Sequence, residues 1–109
     1  MQPYRLFRWD EIALEKVTEM VSRKFVSGER ETIAQIYLKR GAVVPQHTHD
    51  SEQMTYVLQG ALKLLAVVRV LRHDGEVLHI KPGVAHQVEA LDDTFVLGVF
   101  SPVRRDWVE

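Results

Sequence analysis

The chain has 109 residues, of which 46% are hydrophobic and 27% charged, and its formal net charge is -1. This length fits one domain that buries a core without metal or disulfide staples, which predicts a single domain over residues 1–109 with an N-terminal arm over residues 1–10. The near-neutral charge argues against nucleic acid and anionic membranes as partners. The longest apolar run, residues 61–71, contains Lys63 and Arg69 and is shorter than the roughly 20 residues of a membrane helix.

The N-terminal residues bear on location and on assembly. They lack the apolar core of a signal peptide, and the sequence has no cysteine and therefore no disulfide framework, so we expect a cytoplasmic protein. Residues 4–9, YRLFRW, combine apolar and basic side chains and can add to a sheet edge of this chain or of a partner. Residues 10–24 fit a helix capped by Asp10 as well as a strand, and the strand-rich remainder favours a strand.

Short strands alternate with turns from residue 27 onward. On residues 32–39 every second side chain is less polar, which is the pattern of a half-buried strand. Residues 61–71 are long for one strand, so a hairpin break is expected inside them. Further strands are predicted at residues 54–59, 76–80, 84–90 and 94–100, with turns at 27–30, 40–41, 72–75, 81–83 and 91–93. Six or more short strands separated by Gly and Pro turns indicate an all-β sandwich or barrel.

Four residues form the candidate metal site. His47, His49 and Gln53 share odd parity, so on an extended strand their side chains point to one face, with the two histidines about 7 Å apart. A fourth ligand, His86, lies in the later stretch KPGVAH. The alternative is two polar loop histidines and one hydrogen-bonded core histidine.

This donor set also predicts a type of chemistry. Three imidazoles and one amide leave the full 2+ charge on a bound ion, which favours Lewis-acid chemistry. It fits less well with oxygen activation by an iron site of two histidines and one carboxylate. We expect one divalent transition metal, and imidazole ligands suit Zn, Ni, Mn, Fe and Co alike.

The glycines around these ligands carry a family resemblance. The stretch from Gly41 to Gly60 reads G-x5-H-x-H-x3-Q-x6-G and resembles the first cupin motif, with Gln53 where most cupins have Glu. The stretch GEVLHIKPGVAH, residues 75–86, is similar to the second motif, which contributes the last histidine. The resemblance implies an all-β cupin double-stranded β-helix, that is, a jelly-roll barrel.

A narrower resemblance rests on SEQMTYVLQG and on PGVAHQVEALDDTFVLGVFSP with a following Arg. These segments are similar to the pectin-degradation cupins called KdgF, which open the ring of 4,5-unsaturated uronate monomers to a linear keto sugar acid. The resemblance places Phe100 and Arg104 at catalytic site positions, and Arg104 would hold a substrate carboxylate. The acidic residue that the family carries two positions before the Phe is Gly98 here, so the general acid or base is unassigned.

The other acids and histidines are expected away from the ligands. Glu52 is adjacent in sequence, but its parity points it to the surface. His79 is predicted on the outer surface and His73 in an exposed turn. Asp92 and Asp93 form a turn, and neither is expected to replace the missing acid. Asp106 would do so only by reaching the barrel mouth from a mobile tail.

These observations predict a metal-dependent cupin that acts on a small carboxylate-bearing sugar or keto acid, with isomerase- or lyase-type chemistry. Two alternatives stay open: a non-enzymatic ligand-binding cupin, favoured by Gly98, and a metal-dependent oxidase or dioxygenase. Arg104 can also be interpreted as a solvated tail charge, and Phe100 as core packing. The resemblance further implies a homodimer, and we expect an anionic small molecule as ligand. The near-neutral charge leads us to expect neither nucleic acid nor a membrane as partner.

Overall fold

Extended backbone accounts for most of the chain, because runs of β-branched and aromatic residues lie between turn-forming Gly and Pro. The structure is a computed structural model and describes residues 3–65, 69–72 and 75–108. Within these residues there are ten strands, a 3-10 turn at Trp9–Glu11 and a short helix α1 at Arg105–Val108. The strands are β1 Glu15–Lys16, β2 Val21–Ser27, β3 Thr32–Leu38, β4 Val43–His47, β5 Glu52–Gln59, β6 Ala61–Leu64, β7 Arg69–Arg72, β8 Val77–Ile80, β9 His86–Ala90 and β10 Thr94–Ser101.

Two antiparallel sheets face each other. Six strands pair in the order β1-β2-β3-β10-β5-β8, and four in the order β4-β9-β6-β7. Neighbours in each sheet are mostly distant in sequence, as in a jelly roll, where long connections cross between two sheets. The all-β class predicted from the sequence is therefore confirmed.

Alternation along the strands fills the space between the sheets. On β10, Thr94, Val96, Gly98 and Phe100 are buried, while the residues between them are half-buried. The predicted less polar face of β3 also points inward. The buried apolar cluster consists of Val21, Leu38, Ala42, Val57, Leu62, Leu64, Leu71, Ala90 and Val96.

Strand register brings one end of both sheets together. Phe100 on β10 pairs with Thr32 on β3 and with Gln53 on β5. In the other sheet, His47 at the end of β4 pairs with His86 at the start of β9. The polar residues of both predicted motifs therefore lie at the same end of the barrel, and the aliphatic cluster lies below them.

The region 10–24 differs from its prediction. It is not one strand: a 3-10 turn precedes β1, and a continuous strand begins only at Val21. From there β2 pairs with β3 along its whole length, so inter-strand hydrogen bonds replace those that a local helix would have made. Other boundaries shift by a few residues: β5 begins at Glu52, β8 at Val77 and β9 at His86.

The expected hairpin break within 61–71 is present, between Leu64 and Arg69. Residues 66–68 lie outside the described residues, as do His73 and Asp74 of the predicted turn. Residues 3–8 form no strand within this chain, and Tyr4 and Leu6 are 82% and 92% exposed. Among the described residues, no helix has the length and apolar character needed to cross a bilayer.

Candidate metal centre

Three histidines meet at the polar end of the barrel. One ring nitrogen from each of His47, His49 and His86 lies within 4.8 Å of the others. The route to this cluster differs from the prediction, because β4 ends at His47 and His49 lies in the following loop. His47 and His49 therefore do not project from a single strand. The pairing of β4 with β9 and the return of the loop bring the rings together.

Backbone carbonyls determine which nitrogen of each ring is free. Each Nδ1 lies 2.8–2.9 Å from the carbonyl oxygen of a residue two positions away: Pro45 for His47, Ser51 for His49 and Val84 for His86. A carbonyl oxygen only accepts hydrogen bonds, so each Nδ1 carries the proton and donates it. Each Nε2 then keeps a lone pair, which is the form of histidine that binds a metal.

The Nε2 atom of His86 is buried and has no hydrogen-bond partner among the described residues. Burial lowers the pKa of His86 below its ordinary value of 6.5, and its hydrogen bond to the Val84 carbonyl opposes that shift. Protonation of His47 or of His49 would lower the pKa further, as does the charge of Arg104. The ring is thus held neutral with an unused acceptor, and a buried polar atom of this kind needs a partner.

Gln53 stands beside the cluster. Its Oε1 lies 3.0 Å from Nε2 of His49, and its Nε2 donates to Oγ1 of Thr55 at 2.8 Å. With His49 protonated at Nδ1, its Nε2 and the Gln53 amide oxygen are both acceptors, and a cation bound by the two atoms would satisfy both. The donors present, three imidazole nitrogens and an amide oxygen, fit a divalent transition metal.

Arg104 lies inside the barrel mouth rather than on a solvated tail. It is 7% exposed, and its backbone N–H donates to Oγ1 of Thr32 at 3.1 Å. Its guanidinium carbon lies 4.9 Å from the ring centre of Phe100 and 4.3 Å from that of Trp107. These contacts are typical of cation–π packing and hold the charge near the histidines.

Phe100 has two roles in packing. It is 1% exposed, so it belongs to the core, and its ring lies 5.8 Å from that of His49, so it also borders the candidate site. Gly98 precedes it on the same inward face of β10. A Cβ atom at position 98 would lie 3.1 Å from Cε2 and 3.3 Å from Cζ of Phe100. The Phe100 ring therefore occupies the space beside Gly98 that an acidic side chain would need.

An acid does reach the site, by another route. Asp106, in the short helix α1, accepts two hydrogen bonds from Arg104, at 3.0 and 2.7 Å. The Arg104 hydrogen bond lowers the pKa of Asp106 below its ordinary value, desolvation opposes the shift, and the charges of Arg104 and His49 add to the lowering. Of the other acids, Glu52 is exposed and pairs with His79 at 3.0 Å on the outer surface, as predicted.

Trp107 is the site residue that the sequence analysis missed. Its ring lies 5.1 Å from that of Phe100, and the guanidinium carbon of Arg23 lies 4.1 Å from its centre. Its position three residues after Arg104 was the available signal, since one helical turn places such residues on the same face. The sequence does not show that the tail turns back over the barrel mouth, so Trp107 could not be distinguished from an exposed terminal residue.

A cavity of about 480 Å³ extends from this polar end into the barrel. His47, Gln53, His86, Arg104 and Asp106 line it together with many aliphatic side chains. Its volume lies in the range of small-molecule binding sites, so it is a candidate ligand pocket that continues from the metal centre.

Several solved structures share this fold. An RmlC-like cupin from Shewanella frigidimarina NCIMB 400 is 22% identical, with a TM-score of 0.87 over 97% of both chains. KdgF from Halomonas sp. is 28% identical, with a TM-score of 0.85 over 95% of this chain and 98% of that one. An oxalate decarboxylase from Lactobacillus farciminis is 20% identical with a TM-score of 0.75, and this chain covers 32% of its length.

Sequence comparison adds the family. No curated protein sequence matches the chain. The Cupin domain family matches residues 35–100, a range that runs from β3 to the buried end of β10 and contains all three clustered histidines. Both the match and the two facing sheets agree with the resemblance stated from the motifs, and the chain belongs to the cupin family.

Proposed function

We propose that this cupin binds one divalent transition metal through His47, His49, Gln53 and His86. The observation that carries the proposal is the buried Nε2 of His86, which is neutral and has no partner among the described residues. It lies in a cluster whose other Nε2 atoms are also left as acceptors by their carbonyl-bound Nδ1 atoms. A cation is the partner that such a set of acceptors fits.

We further propose that a small carboxylate-bearing molecule, a sugar acid or keto acid, binds beside this centre. Arg104 is a buried guanidinium in the pocket wall, suited to two-point binding of a carboxylate. The metal, when bound, supplies Lewis-acid polarisation of a ligand oxygen. Arg104 orients the ligand, while Phe100 and Trp107 flank the guanidinium and exclude water from its faces.

Asp106 is the residue that we propose for proton transfer. It is the one carboxylate among the described residues that line the pocket. In the resting protein the Arg104 hydrogen bonds lower its pKa, so it is ionised and able to accept a proton. When a ligand carboxylate takes over Arg104, that stabilisation is lost and the proton affinity of Asp106 rises. This arrangement suits removal and return of a proton next to a carbonyl, as in tautomerisation or opening of a sugar ring.

Two assays in parallel test the proposed activity. One follows loss of 4,5-unsaturated galacturonate, the reaction that the KdgF resemblance implies. The other follows deuterium exchange at C3 of 2-oxobutanoate by NMR, which reports proton removal beside a carbonyl. We expect at least one rate above that of His86→Ala, with His79→Ala as a control because His79 lies on the outer surface. Neither rate exceeding the His86→Ala background would contradict an enzymatic role.

A second candidate is a non-enzymatic ligand-binding cupin. It is favoured by Gly98, which stands at the position of the family's acidic residue and whose neighbouring space is filled by Phe100. In that case the metal and Arg104 would still hold a carboxylate, but neither proton exchange nor ring opening would be accelerated. Carboxylate binding in the metal-loaded protein without turnover in either assay would select this function.

A further inference from the structure

The pocket below the metal centre is aliphatic. Strand register gives the depth of each wall residue: on β8, Ile80 pairs with Gln53 and Leu78 lies two residues deeper. On β9, Val88 lies two residues below His86, and on β10, Val96 lies four residues below Phe100, or about 13 Å along the strand. All four side chains line the cavity, so its walls change from charged to hydrocarbon within one or two pleats.

Thr18, Thr55 and Arg23 are the polar lining groups away from the metal centre and the histidine segment, whereas Gln46 and Thr48 flank His47. The Thr55 hydroxyl accepts a hydrogen bond from Gln53, and that of Thr18 accepts from the backbone N–H groups of Met20 and Val21. Arg23 pairs with Glu15 and lies over Trp107, so its charge stays at that aromatic ring. Most of the other described lining residues are Val, Leu or Ile, so the walls away from His47 offer few hydrogen-bonding groups to the body of a ligand.

A cavity with one charged end and aliphatic walls favours some classes of ligand over others. A hydroxyl that leaves water for an aliphatic wall loses its hydrogen bonds and gains none, whereas a methylene gains by leaving water. We infer that the ligand is a small carboxylate with an apolar alkyl or aryl body rather than a polyhydroxylated sugar acid. The inference rests on the proposed function for the carboxylate end at Arg104 and on the aliphatic walls for the rest.

Binding of a homologous series tests it directly. Isothermal titration of the zinc-loaded full chain with butanoate, hexanoate and octanoate should show affinity rising about fourfold for each added methylene, the gain expected when each one is buried. D-galacturonate should bind more weakly than hexanoate, which has the same number of carbons. Affinity that does not change with chain length, or galacturonate binding as tightly as octanoate, would overturn the inference while leaving carboxylate binding intact.

An uncharged probe, 1-octanol, separates the apolar pocket from the carboxylate-binding role of Arg104. If 1-octanol binds and no carboxylate does, the pocket is apolar but Arg104 does not bind carboxylates. If Arg104→Gln weakens every carboxylate equally and leaves 1-octanol unchanged, the apolar pocket and the role of Arg104 are both supported. If none of the probes binds, the apolar pocket and the role of Arg104 are both contradicted.

Filling the pocket gives a second measurement. Leu78→Trp adds volume inside the cavity, whereas Val77→Trp adds the same ring on the adjacent outward position of β8, which is 54% exposed. We expect the first variant to reduce octanoate affinity at least tenfold with little change for butanoate, and the second to bind both as wild type. Equal loss for both probes in Leu78→Trp, with its melting temperature preserved, would contradict the inference. If Leu78→Trp does not fold, the dependence of wild-type affinity on chain length from butanoate to octanoate tests the inference instead.

Discussion

Arg104 and Asp106 form a two-point ion pair at the pocket, with Nε donating to Oδ1 at 3.0 Å and Nη2 to Oδ2 at 2.7 Å. The two partners differ in burial, because the Arg104 side chain is 8% exposed and that of Asp106 is 61% exposed. A buried cation is therefore paired with a carboxylate whose side chain is mostly exposed to solvent. A ligand carboxylate would take the place of Asp106, and this competition makes the pair testable.

Removing the charge of Asp106 should separate binding from turnover. In Asp106→Asn the ligand no longer competes with an internal carboxylate, so we expect octanoate affinity to rise by up to about fivefold, the value of an exposed ion pair. Exchange at C3 of 2-oxobutanoate should fall by about a hundredfold or more, because the proton acceptor is lost. Titration calorimetry and NMR exchange measure the two effects on one protein preparation.

The chain contains a matched control for that variant. Arg8 and Asp10 form the same two-point pair between residues two apart, at 3.2 and 3.3 Å, on the exposed N-terminal segment. Asp10→Asn should leave both octanoate affinity and exchange unchanged. Weaker binding with an undiminished exchange rate in Asp106→Asn would contradict both roles assigned to that residue.

Metal binding should stabilise the folded protein through His86. Zinc at a hundred times its dissociation constant is expected to add about 2.7 kcal/mol to the free energy of unfolding. Thermal melts with zinc and with a chelator measure the difference, and elemental analysis gives the stoichiometry. His86→Ala should abolish the zinc-dependent shift, whereas His79→Ala, on the outer surface beside Glu52, should retain it. A zinc effect of equal size in both variants would place the metal elsewhere.

The metal-free protein should lose stability below about pH 6.5. Burial lowers the pKa of His86 in the folded state, whereas the unfolded chain has the ordinary value of 6.5. Between the two values the unfolded state binds more protons, so the free energy of unfolding decreases as the pH falls through this window. Urea denaturation of chelator-treated protein across the window measures the slope. His86→Ala should show a smaller slope, and an unchanged slope would assign the effect to other groups.

Gly98 should tolerate no side chain without movement of Phe100. The Cβ atom of Gly98→Ala would lie 3.1 Å from the ring, so we expect a loss of about 1–3 kcal/mol in thermal or urea unfolding. Gly28→Ala is the control, because its Cβ would lie 3.8 Å from the nearest described atom, the Glu31 carbonyl oxygen. Comparable losses in the two variants would show that the Phe100 ring is not the obstacle.

The same contact bears on restoring an acid at position 98. Gly98→Asp alone should be destabilised and inactive on 4,5-unsaturated galacturonate, since the carboxylate meets the Phe100 ring. Only Gly98→Asp combined with Phe100→Leu provides room for the new side chain. Turnover gained by the single variant would mean that Phe100 moves readily and that the missing acid alone prevents the family reaction.

The N-terminal arm should mediate a homodimer. Tyr4 and Leu6 are among the most exposed apolar side chains of the described residues, and none of the described strands pairs with residues 3–8. We expect light scattering to give a dimeric mass for wild type and a monomeric mass for Tyr4→Asp combined with Leu6→Asp. Val84→Asp, at a turn residue that is 48% exposed, is the control. A monomeric wild type would contradict the prediction.

Local sequence determined a large part of this protein. Alternating polarity identified β3, and the turn residues separated most strands, because both patterns depend on neighbours along the chain. The glycine and histidine spacing selected the three residues whose ring nitrogens lie within 4.8 Å. That spacing depends on two short segments, each of which carries its own turn, so it was visible before any tertiary contact was known.

Tertiary structure alone decided how those residues work together. His47 and His86 meet by pairing of β4 with β9, and Arg104 is anchored to Thr32, 72 residues away. The return of the tail over the barrel mouth turned Asp106 and Trp107 from apparent tail residues into pocket residues. Contacts between distant segments arise from the packing of two whole sheets, and no local pattern encodes which side chains such packing will bring face to face.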